Sequence, residues 1–300
     1  FPMSAQMKLQ GLGVALITPF HSDGKVDYPA LQRMVEHLIS GGCDFLVVLG
    51  TTAETPTLSP EEQRSVVDFV VEVNANRMPV VVGVSGNNTV ELCSRIRTWD
   101  LEGIDAFLVA SPAYNKPSQL GIVTHFKAVA DAAPKPIVLY NVPGRTASNM
   151  SAATTLQLAK HDNVCGIKEA SGDLGQIGLI LAQRPEGFAV WSGDDALALP
   201  TVSMGAEGVI SVMGNVCPAE MSRMIQQTAF GQIQEAQKTH QALTPIMDLL
   251  FAEGNPVGVK VALKHLGICE THVRLPLIDG SKDLTDKLYK AIAEMEVETS

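Results

Sequence analysis

Aromatic residues are scarce, at 5% of the 300 residues, so a core built on ring stacking is excluded and aliphatic packing is expected. Basic residues are also few. Lys and Arg total 22 against 32 Asp and Glu, a formal net charge of -10. That balance argues against a nucleic-acid binder, which needs a basic face to meet phosphates. An acidic surface mainly favours solubility. The five cysteines, Cys43, Cys93, Cys165, Cys217 and Cys269, are odd in number and widely spaced, with no CxxC pair. They fit reduced thiols in a cytosolic protein better than a disulfide framework or a zinc site, so a cytoplasmic location is expected. No apolar run is long enough to span a bilayer. The first residues lack the basic and apolar segments of a signal peptide, so no membrane association is expected. Phe1-Pro2, ahead of Met3, plays no part in the fold expectation. There is no HExxH and the histidines are scattered, so neither a metal nor a cofactor is expected. Internal repeats and low-complexity segments are absent.

What is present is a rhythm. Hydrophobic residues make up 46% of the chain, and they fall in short continuous runs separated by helical patterns. The runs are Val14 to Ile17, Phe45 to Leu49, Pro79 to Val84, Asp105 to Val109, Pro136 to Asn141, Val164 to Lys168, Phe188 to Trp191 and Gly208 to Val212. Unbroken apolar strands suit a parallel sheet covered on both faces. Asp27 can cap a helix whose stripe is Leu31, Met34, Val35, Leu38 and Ile39. Ser59-Pro60-Glu61-Glu62 is a strong helix start. Eight βα units predict an α/β fold, a closed (β/α)8 TIM barrel. The rival, an open doubly wound sheet, lacks its glycine-rich turn after the first strand. Beyond Pro218 only helices follow. The expected division is therefore 11–217 for a barrel carrying the site and 218–300 for a C-terminal helical appendage packed on it.

Sites in such barrels lie at the carboxyl ends of the strands. Those ends read Gly50-Thr51-Thr52-Ala53-Glu54-Thr55, Ser111-Pro112-Ala113-Tyr114-Asn115, Tyr140-Asn141-Val142-Pro143-Gly144-Arg145-Thr146, Lys168-Glu169 and Ser192-Gly193-Asp194-Asp195. Lys168 closes an apolar strand, an unusual place for a lysine. Two readings stand: a head group that snorkels to water, or a desolvated amine able to form a Schiff base with a carbonyl substrate. The rim setting favours the amine. Tyr140 can move protons during imine formation, and Thr51 can pass them along a hydroxyl chain. Arg145 offers a two-toothed contact to a carboxylate, and backbone donors after Gly50 can hold another. Asp194 and Asp195 read as a helix N-cap rather than a Mg²⁺ site. Glu54 reads either as a general base or as a structural acceptor. His125 and His161 read as helix-surface residues.

These blocks resemble the dihydrodipicolinate synthase family, within the superfamily of pyruvate-dependent class I aldolases and N-acetylneuraminate lyases. The resemblance runs from about Gly13 to the C-terminal helices. Gly50-Thr51-Thr52-Ala53-Glu54 and Gly166-Ile167-Lys168-Glu169 are shared across the superfamily. Arg145, two residues after Pro143, points to the synthase branch over the sister N-acetylneuraminate lyases and keto-deoxy sugar acid aldolases. The resemblance implies that Lys168 forms a Schiff base with pyruvate and that Tyr140, Thr51 and Tyr114 form a proton relay. Tyr114 would reach into a neighbouring subunit, within a homotetramer built as a dimer of dimers. It further implies that Thr52 binds the pyruvate carboxylate and Arg145 that of L-aspartate 4-semialdehyde. Gly193 and Ile210 would touch substrate through their backbone. The implied step opens the diaminopimelate and lysine pathway. Ala53 and Thr55 stand where the family usually has Gly and Ser. Asn87 and Glu91 match the family's lysine-effector pattern, but Pro60, Gln63 and Ala113 replace its histidines and extra aromatic. Weak or absent inhibition by lysine is expected.

Overall fold

The computed structural model describes residues 9–100 and 102–299; Phe1-Pro2 lie outside them. In chain order the elements are β1 (Gly11–Ala15), α1 (Tyr28–Ser40), β2 (Phe45–Val48), α2 (Pro60–Asn74), β3 (Val80–Gly83), α3 (Thr89–Ile96), β4 (Ala106–Ala110) and α4 (Gln119–Ala132). There follow β5 (Ile137–Asn141), α5 (Pro143–Thr146), α6 (Ala152–Leu158), β6 (Val164–Glu169), α7 (Leu174–Gln183), β7 (Ala189–Ser192), α8 (Ala198–Ser203) and β8 (Gly208–Ser211). The chain ends with α9 (Pro218–Ala229), α10 (Ile233–Phe251), α11 (Val257–His265) and α12 (Lys282–Thr299). The eight strands close in sequence order, with β8 paired in parallel to β1. This is the expected TIM barrel with its C-terminal helices.

Local chemistry explains the elements. Asp27 caps α1 by accepting from the Ala30 N–H at 3.0 Å. Ser59 and Glu62 close a reciprocal capping box at the start of α2. The strand pleat divides the core in two. Phe45 and Val47 point into the barrel, while Leu46 and Val48 pack outward against the helices. Inside, Trp191 meets Phe45 edge to face at 6.3 Å, and its Nε1 donates to the Leu9 carbonyl at 2.7 Å. That bond ties β7 to the segment just before β1.

Strand β6 departs from strict alternation. Its pairing with β5 slips between Ile137 and Val138, so that Val164 faces Ile137 but Gly166 faces Val138. Cys165 is the extra residue of this bulge. Cys165 belongs to the interior cluster, yet Ile167, two residues on, packs outward. The bulge has shifted the phase of the pleat. It also brings Lys168 level with Tyr140 on one side and Trp191 on the other, both interior residues.

Several sequence expectations need correction. The first strand starts at Gly11, three residues before the apolar run, because Gly11, Leu12 and Gly13 pair with β8. Glycines hide such a strand from a hydrophobicity reading. Helix α3 stops at Ile96 rather than Trp99, where the Thr98 N–H turns to the Arg95 carbonyl. The short helix α5, opened by Pro143, follows β5 where the apolar pattern gives no helix. His125 is buried, not on the surface; it bonds Thr89 Oγ1 through Nδ1 at 2.8 Å and packs on Phe126. His161 does lie near the surface, beside Asp131 at 3.0 Å. No helix among the described residues is long and apolar enough to cross a membrane.

Candidate active site

A cavity of about 430 Å³ opens at the carboxyl ends of the strands. Thr51, Thr52, Tyr140, Arg145, Lys168 and Gly193 line it, so the structure brings together six of the residues singled out from sequence. Lys168 is only 5% exposed. Its Nζ sits 4.4 Å from the centre of the Tyr140 ring and has no carboxylate or carbonyl partner among the described residues. A buried lysine without an acid beside it is uncommon. The face of an aromatic ring tolerates the ammonium form without locking it as an ion pair would.

Close packing holds the lysine in place. A Cβ built on Gly193 would lie 2.8 Å from the Ala170 Cβ and 3.1 Å from both Cγ and Cε of Lys168. The Gly193 N–H is tied to the Glu169 carbonyl at 2.8 Å, so the backbone cannot retreat freely. Gly193→Ala is therefore expected to push Lys168 aside, an outcome that a crystal structure of the variant checks.

Glu169 faces away from the cavity. It accepts from Asn141 Nδ2 at 3.0 Å, the Ser171 N–H at 2.9 Å and Gln176 Nε2 at 3.0 Å. Burial pushes its carboxyl above the usual range, opposed by those donors. It pins the end of β6 to β5 and α7, which fixes where Lys168 emerges.

Arg145 leaves α5 exposed and makes no ion pair among the described residues, so its guanidinium is available to an anion at the cavity mouth. Thr51 and Tyr140 line the wall, and neither hydroxyl bonds another side chain among the described residues. Tyr114 does not line this cavity. It is 88% exposed, with φ at +73°, a left-handed conformation unfavourable for a tyrosine. Its N–H is held by the Thr146 carbonyl at 3.2 Å. Ile210 points its side chain into the barrel core, and Val212, two residues on, reaches the cavity instead. Asn87 is bonded at both ends of its amide to Ala113, at 2.8 and 2.9 Å, and Glu91 lies exposed in the first turn of α3.

The acidic residues resolve as structural. Asp195 does not cap α8. It is buried and accepts from Ser211 Oγ and from the N–H groups of Val212 and Met213, at 3.0 and 2.8 Å, joining the exits of β7 and β8. Burial raises its pKa. Among the described residues no group of three His, Cys, Asp or Glu could hold a metal ion. Glu54 is a structural acceptor. It pairs with Lys260 Nζ at 2.6 Å and takes the Arg274 N–H at 2.9 Å. This clamps the Thr51–Thr52 turn to the C-terminal region. Burial lowers the Lys260 pKa, and Glu54 opposes the shift. Burial also pushes the Cys43 and Cys165 thiols up to about 12, leaving them unreactive.

Sequence reasoning missed the cavity's outer wall, which comes from α10 and the loop after it: Met247, Asp248, Phe251 and Asn255. No local motif marks them. Lys260 was missed although it carried a usable signal, a lysine in the apolar run Val257-Gly258-Val259-Lys260-Val261-Ala262-Leu263.

A closed (β/α)8 barrel whose rim cavity joins an unpaired buried amine to a free guanidinium has the layout of a barrel enzyme of the lyase class. The chain matches the model of the Dihydrodipicolinate synthetase family over residues 8–295, and it belongs to that family. It is 50% identical over 288 residues to a 4-hydroxy-tetrahydrodipicolinate synthase of Azobacteroides pseudotrichonymphae genomovar. CFP2, covering 96% of this chain and 97% of the relative. A relative of the same name in Parabacteroides distasonis is 46% identical over 294 residues, covering 98% and 99%. Among solved structures, the dihydrodipicolinate synthase of Thermotoga maritima superposes with a TM-score of 0.94 at 35% identity, covering 97% of this chain and 99% of that one.

Proposed function

We infer that this chain is a lyase that condenses pyruvate with L-aspartate 4-semialdehyde, the first committed step toward diaminopimelate and lysine. The observation that carries this reading is Lys168 and Arg145 facing one cavity, in a chain whose relatives bear the synthase name over nearly their full length. A sister activity on sugar-derived aldehydes, as in N-acetylneuraminate lyases, is disfavoured by the guanidinium at the mouth.

In the reaction we propose, Lys168 Nζ attacks the keto carbon of pyruvate and water leaves, giving the imine. Loss of a methyl proton gives the enamine. Its carbon attacks the aldehyde, forming the new C–C bond. The amine of the former semialdehyde then attacks the imine carbon, which closes the ring and frees Lys168. Tyr140 and Thr51 would carry the protons, since their hydroxyls face the cavity uncommitted. Thr52, with backbone amides of its turn, would take the pyruvate carboxylate. Arg145 would take the carboxylate of the semialdehyde, and Gly193 and Ile210 would contribute backbone contacts. None of these steps calls on a cofactor.

We further propose that Tyr114 serves a neighbouring subunit, within a homotetramer arranged as a dimer of dimers. Its exposure and left-handed backbone support this, because an exposed aromatic held in such a conformation is presented to whatever packs beside it. We take 11–217 as the barrel unit and 218–300 as the helical region packed on it. A cytoplasmic setting fits five cysteines that form no disulfide. The Asn87–Glu91 pair would be the effector site, but Asn87 is already engaged by Ala113. Inhibition by lysine is expected to be weak or absent, and strong inhibition in a steady-state assay at sub-millimolar lysine would refute that.

The central test is reduction with borohydride in the presence of pyruvate, followed by peptide mass analysis. A pyruvate-derived adduct on the Lys168 peptide is expected. An adduct elsewhere, or none, would overturn the assignment. Comparing aspartate semialdehyde with N-acetylmannosamine as the second substrate then separates the two activities.

A further inference from the structure

The hydroxyl of Thr52 has a partner from far along the chain. Asn255 Nδ2 donates to Thr52 Oγ1 at 2.9 Å, across 203 positions of sequence. Both residues are buried, at 9% and 2% exposure, and both line the cavity. Asn255 sits between α10 and α11, in a turn set by the Gly254 N–H to the Phe251 carbonyl and the Val257 N–H to the Gly254 carbonyl. The remaining polar atom of its amide, Oδ1, is buried with no partner. A threonine hydroxyl has one proton and two lone pairs. With one lone pair occupied by an amide N–H, the hydroxyl is left to donate its proton elsewhere. The open direction is the cavity.

We propose that Asn255 is a positioning residue for pyruvate: it holds Thr52 as a dedicated proton donor toward the substrate carboxylate. The proposal rests on the reading that Thr52 receives that carboxylate. A hydroxyl free to rotate would spend part of its time presenting lone pairs to the anion, which is repulsive. A fixed donor costs no reorganisation when the anion arrives. The C-terminal region thereby enters the first half of the reaction through one amide, while Lys168 and Tyr140 remain wholly on the barrel.

The test measures the pyruvate concentration that gives half-maximal borohydride trapping on Lys168, together with KM and kcat for both substrates, in four proteins: wild type, Asn255→Ala, Asn255→Asp and Thr52→Val. Asn255→Ala is expected to raise half-saturation by pyruvate about tenfold. Turnover at saturating pyruvate and KM for the semialdehyde should change by no more than about twofold. Asn255→Asp has nearly the same shape but offers only acceptors, so it should draw the Thr52 proton to itself and raise half-saturation at least as much. Asp also brings a charge that repels the anion, so the separation from a space-filling role rests on the double variant. The Thr52→Val, Asn255→Ala double variant should be no worse than Thr52→Val alone, since Asn255 acts through that hydroxyl. Wild-type behaviour of Asn255→Asp, additive losses in the double variant, or failure of both Asn255 variants to fold would overturn the proposal. If Thr52→Val itself leaves half-saturation unchanged, the reading of Thr52 fails and the proposal falls with it, whereas an effect of Thr52→Val without one of Asn255→Ala rejects the proposal alone.

Discussion

Lys168→Ala is expected to lower turnover by about 10⁴-fold or more and to abolish trapping of pyruvate by borohydride. The covalent route needs an amine at that one point, and no other lysine among the described residues lines the cavity. The obvious second candidate, Lys260, is fully buried and paired to Glu54 at 2.6 Å. Its ammonium also faces the Phe20 ring at 4.2 Å and bonds the His272 carbonyl at 2.8 Å. Such a lysine is committed to the fold. The Lys168→Ala protein should keep its thermal unfolding midpoint close to that of wild type, because no ion pair is broken. A variant that retained activity, or one that trapped pyruvate on another peptide, would remove Lys168 from the mechanism. Lys168→Arg adds a useful control. The guanidinium keeps the charge but is not a nucleophile near neutral pH, so its activity should be as low as that of the alanine variant.

Arg145→Ala is expected to separate the two halves of the reaction. The guanidinium stands at the cavity mouth on the short helix α5, away from the buried wall that holds Lys168. Removing it should lower kcat/KM for the semialdehyde by about 10²- to 10³-fold, the usual range for losing a charged two-toothed contact to a carboxylate. Trapping of pyruvate should be nearly unchanged. Arg145→Lys should recover only part of the loss, since an ammonium offers a point charge where the carboxylate meets a planar fork. Equal losses of pyruvate trapping and semialdehyde use would show that Arg145 acts on both substrates or on the fold. Little loss of either would reopen the choice of aldehyde.

The fold is largely legible in the sequence. Eight apolar runs alternating with capped helical patterns leave few architectures open, and the runs were long enough to survive errors at their ends. Where the reading slipped, the cause was local. Gly11 and Gly13 carry no side chain to reveal β1, although their backbone pairs with β8. His125 looked polar on a helix and proved buried, because Thr89 supplies a hydroxyl to one ring nitrogen. Asp194 and Asp195 sit where a helix cap would, but the buried bonds of Asp195 run to Val212 and Met213, which lie next to it only once the barrel closes.

The site was partly legible for the same reason. Strand ends converge on one rim in any such barrel, so Thr51, Tyr140, Arg145 and Lys168 could be gathered from topology, while Thr52 and Gly193 came with the family resemblance. The outer wall could not be found that way. Met247, Asp248, Phe251 and Asn255 come from the helices after the barrel, and only packing decides which of their turns covers the mouth.

Sequence alone determined the barrel and the chemical groups at its rim, because apolar period and residue type are local properties. It could not say which of two lysines in apolar runs was free. Tertiary structure decided that by giving Lys260 a carboxylate and leaving Lys168 with the face of an aromatic ring. It also decided the direction in which Lys168 points. One extra residue, Cys165, slips β6 against β5, and that single step of pleat sets the lysine level with Tyr140 and Trp191 on the interior face. Side chains alternate along a strand with a period of two, so a shift of one residue reverses the face on which every later one emerges.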